Sequence, residues 1–137
     1  MSLLNVNLNE AQDIELIPNG TETQVRVITL EVRTSKKDNE YLNIRLDTPE
    51  FENVDEIYDM VMLPGQGEDK KQTNRRLLQL RDLLAAFGVD IGDGNVDLQS
   101  LIDNQSLVGS TAFAILKIDS SGDRPRNQIA RYVVPQS

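Results

Sequence analysis

The sequence predicts a mainly β domain of five strands, with one principal helix between the third and the fourth. Three observations carry this. Runs rich in β-branched and aromatic residues recur between turn signals from Thr23 to Val134. Only one long stretch, Asn74 to Phe87, carries apolar residues at helical spacing. Clusters of Gly, Pro, Asn, Asp and Ser separate the runs, at Pro18-Asn19-Gly20, Asp38-Asn39, Pro64-Gly65 and Ser120-Ser121-Gly122.

Residues 1–20 read as an N-terminal arm and 21–137 as one folded domain. In the arm, Leu3, Leu4, Val6 and Leu8 supply a short strand and Ile14, Leu16 and Ile17 an apolar patch. The first strand proper, Thr23 to Arg33, changes phase: Val25 and Val27 share one parity, Ile28, Leu30 and Val32 the other. A one-residue bulge near Val27 and Ile28 lets both sets face the core, and strands that bend so sharply occur where a sheet curls. After the polar turn Ser35 to Glu40, the second strand runs from Tyr41 to Asp47. Leu42, Ile44 and Leu46 point one way; Tyr41, Asn43 and Arg45 point the other. An acidic loop from Thr48 to Asp55 leads to a third strand, Glu56 to Leu63. Burying Ile57, Val61 and Leu63 leaves Tyr58 and Met60 on the outer surface with Tyr41.

The segment GEDKKQ reads as a mobile charged connector, and the helix follows with Thr73 as N-cap, Leu77, Leu80, Leu84 and Phe87 on its apolar face, and Gly88 as its stop. Asp97 is expected to cap a short second helix carrying Leu98, Leu101 and Ile102. Ser110 to Asp119 and Arg126 to Val134 complete the set as a hairpin. The order β-β-β-α-β-β is that of an OB-fold, a five-stranded Greek-key barrel that holds oligonucleotides on the outer face of strands two and three.

Composition narrows the chemistry. The chain has 137 residues, no cysteine and no histidine. Disulfides, thiolate or HExxH zinc sites, and Ser-His-Asp or Cys-His catalysis are therefore excluded. No apolar run reaches membrane-spanning length and no leader pattern opens the chain, so a cytoplasmic, non-membrane protein is expected. The formal net charge of −8 argues against a nucleic-acid partner. The charges are segregated, however. Acids crowd into Asn9 to Glu22, Asp47 to Asp59 and Asp90 to Asp103, and cations into Arg33, Lys36 and Lys37, Lys70 to Arg81, and Arg124 to Arg131. A basic groove on an acidic body fits this pattern.

The chain resembles a family of phage-encoded OB-fold proteins taken to bind single-stranded DNA. The resemblance rests, in order, on TSKKDNEYLNIRL, on the helix RRLLQLRDLLAAFGV, on LIDNQSLVGSTAFAILKI and on GDRPRNQIARYVVP, and spans roughly residues 18–135. The acidic loops at Asp47 to Asp59 and Asp90 to Asp103 depart from it. It implies binding of single-stranded DNA with little sequence preference, in phage replication or recombination within the host cytoplasm, without catalysis, cofactor or metal. A protein–protein docking module of the same fold is the alternative, and an exposed strand edge could pair in a homodimer.

The residues expected to touch nucleic acid are Arg33, Lys36, Lys37, Tyr41, Asn43, Arg45, Tyr58, Arg75, Arg76, Arg124, Arg126 and Arg131. Tyrosines stack on bases, arginines meet phosphate or ring faces, and an amide bonds a base edge. Each has a plain counterpart: cross-strand pairing for the tyrosines, solvated turns for Lys36 and Lys37, exposed helical charge for Arg75 and Arg76. Asn127 either bonds a base or stabilises a turn. Arg81 is expected to pair with Asp82 or with an Asp or Glu elsewhere. The IGDGNVD loop lacks the full calcium pattern, and Gly65-Gln66-Gly67 lacks the lysine of a phosphate loop.

Overall fold

The computed structural model describes residues 5–65 and 67–135. Five strands form one antiparallel sheet: β1 (Glu22–Thr34), β2 (Glu40–Asp47), β3 (Ile57–Met62), β4 (Thr111–Asp119) and β5 (Arg126–Val133). Two helices, α1 (Lys70–Ala86) and α2 (Leu98–Asp103), lie between β3 and β4. The sheet order is β3-β2-β1-β4-β5, so the longest strand is central and β3 and β5 are the edges. No backbone ladder joins those edges among the described residues, and the sheet is not closed.

The phase change in β1 is a bulge. Its register against β2 slips between Val27 and Thr29, and Val25, Val27 and Leu30 are all buried. Leu42, Ile44 and Leu46 of β2 and Ile57 and Val61 of β3 face the same core, which takes the parity expected of both strands. Helix α1 covers this core with Leu80, Leu83, Leu84, Ala86 and Phe87. Leu80, Leu84 and Phe87 are buried as expected, and Leu83 and Ala86 join them. Leu77 is 49% exposed, because the buried stripe is set by Leu80, Leu83, Leu84 and Phe87, one turn further on.

The helix also starts earlier than its apolar pattern suggests. Asp69, not Thr73, is the N-cap: its carboxylate accepts from the Gln72 amide at 2.8 Å. Lys70 to Thr73 thus form the first helical turn, not a connector. The helix ends at Gly88, whose φ of +80° is the left-handed turn that a C′ glycine provides. Asp97 caps α2 as expected, accepting from Ser100 N at 3.1 Å.

No strand occurs between residues 5 and 20; Leu8–Glu10 is a single 3-10 turn instead. Leu3 and Leu4 lie outside the described residues. Of the expected arm patch, Ile14 and Leu16 are exposed, and only Ile17 enters the core. Ile17 is held there by Asn127, whose side-chain oxygen accepts from Ile17 N and whose amide donates to Ile17 O, each at 2.9 Å. One buried amide thereby satisfies both backbone groups of a residue 110 positions away.

Edges β3 and β5 approach each other through side chains. The Tyr132 hydroxyl on β5 donates to Asp59 Oδ2 on β3 at 2.7 Å, and the Tyr132 ring packs edge-on against Phe87 with centroids 5.6 Å apart. Burial pushes the Asp59 carboxyl above its ordinary range, partly offset by the Tyr132 hydroxyl, the Met60 amide and the charge of Lys117. The Tyr132 phenol is raised well above its usual value by burial and by the neighbouring carboxylate.

Candidate nucleic-acid interface

Alternation in β2 fixes the site. With Leu42, Ile44 and Leu46 inward, Tyr41, Asn43 and Arg45 stand on the outer face, each half-buried. Register then assembles a three-by-three array. Arg33, Tyr41 and Met62 form one row across β1, β2 and β3; Glu31, Asn43 and Met60 the next; Thr29, Arg45 and Tyr58 the third. Tyr58 is 58% and Met60 57% exposed, unusual for large apolar side chains in neighbouring positions of one strand face. The array extends about 13 Å from Tyr41 to Arg45 and about 10 Å across three strands.

Both ends carry cations. The β1–β2 turn presents Lys36 and Lys37, both exposed, on a loop organised by the Ser35 hydroxyl, which accepts from the amides of Lys37 and Asn39. Asp38 holds a φ of +63° there, a conformation short polar residues tolerate. At the other end, the β4–β5 loop brings Arg124 and Arg126 beside Tyr58 and Glu56, around a cleft of about 470 Å³. None of Lys36, Lys37, Arg124 and Arg126 is in an ion pair among the described residues.

The centre of the array is less cationic than its residue names suggest. Arg33 Nη2 lies 2.5 Å from Glu31 Oε1, and Arg45 Nε lies 2.8 Å from Glu56 Oε2. The second contact is close but misaligned, so Arg45 Nε is shielded from solvent without a hydrogen bond. Asn43 reaches the same Glu31 carboxylate at 3.5 Å, a marginal contact. Both arginines are therefore matched by a glutamate at the middle of the face.

Nine of the expected residues thus gather: Arg33, Lys36, Lys37, Tyr41, Asn43, Arg45 and Tyr58 with the β4–β5 loop's Arg124, joined by Arg126 at the cleft. Three do not. Arg75 is exposed in the second turn of α1. Arg76 is only 15% exposed and serves the fold, donating to Leu63 O at 3.3 Å with Glu68 Oε2 3.4 Å away. Arg131 stands opposite Ile115 on β5, on the wall formed with β4. Arg81 lies 3.4 Å from Asp82, one of the partners left open for it. Asn127 is 8% exposed and committed to Ile17, a long-range tie and not the turn contact expected as the alternative to a base.

The acids of the Asp90 to Asp97 region cap their own turns. Asp90 accepts from Gly92 N, Asp93 from Asn95 N and Asp97 from Ser100 N, bonds that hold the carboxyls of Asp93 and Asp97 below their usual range. Among the described residues no cluster of three or more acidic side chains is placed to hold a metal ion. No helix there is long and apolar enough to cross a membrane. Compared with known proteins, the chain matches no family model and no curated sequence.

Proposed function

We propose that the chain binds single-stranded DNA with little sequence preference on the outer face of β1, β2 and β3, acting in phage DNA replication or recombination in the host cytoplasm. In this reading the sheet is an OB-type Greek-key barrel left open between β3 and β5. The observation that carries the reading is the array itself: Tyr41, Asn43 and Arg45 stand outward beside exposed Tyr58 and Met60. Unpaired bases stack on such rings at about 1–3 kcal/mol each, whatever their identity. Lys36, Lys37, Arg124 and Arg126 at the two ends meet the backbone and release its counterions. The mechanism is physical, with no bond made or broken.

One observation favours a second reading, a protein-docking module. Glu31 and Glu56 neutralise the two central arginines, and the whole chain carries −8. A neutral, partly apolar face suits a protein partner as well. Titration of labelled oligo-dT at two salt concentrations, beside a duplex of equal length, separates them. Single-strand binding that weakens with salt and exceeds duplex binding supports the first reading. Absence of binding at low salt removes it.

A further inference from the structure

The cleft at the β4–β5 end of the array has a chemistry of its own. Its walls carry the exposed Tyr58 ring, the cations Arg124 and Arg126, and three carboxylates, Asp55, Glu56 and Asp123. The two amides at its edge are already committed: Asn127 to Ile17, and Gln128 to Asp119 Oδ2 at 3.0 Å. Glu56 is held by Arg45. Asp55 and Asp123 are exposed and in no ion pair among the described residues. The cleft therefore offers a flat ring, cations and surplus acceptors, with its amides tied to Ile17 and Asp119.

We propose that this cleft is a base-selective subsite that prefers nucleobases bearing an exocyclic amino group, with Asp55 and Asp123 as the specificity-determining residues; this rests on the single-strand reading above. A carboxylate repels phosphate, so within a bound strand it is tolerated only where a base edge faces it. Cytosine, adenine and guanine present an amino group that donates to a carboxylate. Thymine presents two carbonyl oxygens around a single N3–H, and those oxygens are repelled. Tyr58 supplies the stacking surface and Arg124 and Arg126 take the adjoining phosphates. The general affinity of the array is unselective, and selection is confined to the one nucleotide in the cleft.

The test compares oligo-dC with oligo-dT of equal length at neutral pH, by fluorescence anisotropy, for the full chain and for the D55N/D123N variant. The Glu56–Arg45 pair is left intact. The native protein is expected to favour oligo-dC by about fivefold, the low end for a solvated carboxylate–amine contact. The variant is expected to bind both more tightly, with the ratio falling to about one. Binding of both strands with oligo-dT equal or better overturns the subsite and leaves the single-strand reading standing. A preference for oligo-dC that D55N/D123N leaves unchanged also overturns it, since the carboxylates then only repel. If neither protein binds either strand, both readings fall together.

Discussion

Replacing Tyr132 with Phe removes one oxygen and tests how the open sheet is held at its seam. The Tyr132 hydroxyl is the donor in a 2.7 Å bond to Asp59 Oδ2, linking the β5 edge to the β3 edge. The ring contact with Phe87 is preserved by the substitution. What is lost is a hydrogen bond to a charged, poorly solvated group, about 1.5–3 kcal/mol at neutral pH. The pH dependence follows from Asp59. Burial raises its folded-state pKa above the unfolded value, so the folded state binds more protons, and stability from this group is greatest in acid and declines as pH rises through the folded pKa. The Tyr132 hydroxyl opposes that shift. Without it the pKa climbs further, and the penalty on the charged form deepens. In acid both proteins carry a neutral Asp59, and the deficit shrinks to about 1 kcal/mol, that of an ordinary hydrogen bond. Urea unfolding of both proteins at pH 7 and at pH 3, where a carboxyl raised above its ordinary value is protonated, measures this, with equal m-values as the check that only stability has changed. A deficit that is the same at both pH values, or below about 0.5 kcal/mol at pH 7, refutes the account of the seam.

Asn127→Ala leaves the buried N–H and C=O of Ile17 without partners, and is expected to destabilise by about 2–4 kcal/mol in urea, with faster amide exchange at Ile17. Tyr58→Ala removes the most exposed ring of the array and should weaken oligo-dT binding by roughly five- to a hundredfold, the span of one lost stacking contact, with the urea midpoint unchanged. Removing both turn lysines, in K36A/K37A, should reduce the slope of log affinity against log salt by about 1.4, since each single-strand phosphate contact contributes about 0.7. An unchanged slope would place those lysines off the path of the strand.

Local patterns carried most of the fold and most of the candidate site. Strand parity was readable because Leu42, Ile44 and Leu46 alternate strictly with polar neighbours, and the β1 bulge was readable because its apolar residues change phase. The start of α1 was not, because its first two turns, from Lys70 to Arg76, contain no apolar residue for periodicity to detect; Asp69 ahead of them is a capping residue that could have marked it. Long-range partners left no local trace. Nothing near Asn127 points to Ile17, and nothing near Arg45 points to Glu56, which arrives from the loop just ahead of β3. Arg33 and Glu31 are different: residues two apart on one strand share a face, so their pairing was legible in principle. The same distinction explains the arginines. Those on strands and hairpin loops fell where topology sends them, whereas Arg76 was drawn inward by Glu68 and the Leu63 carbonyl, a demand set by how the chain leaves β3.

The central claim is that a flexible polyanion lies along the outer face of β1, β2 and β3. Backbone amide shifts of the labelled protein, followed by NMR during addition of oligo-dT at low salt, test it most directly. The account predicts shifts concentrated at residues 29–45, 58–62 and 123–128, with α1 silent. Shifts centred instead on α1 and Arg75, on the β4–β5 wall around Phe113 and Arg131, or no shifts at all, would contradict it.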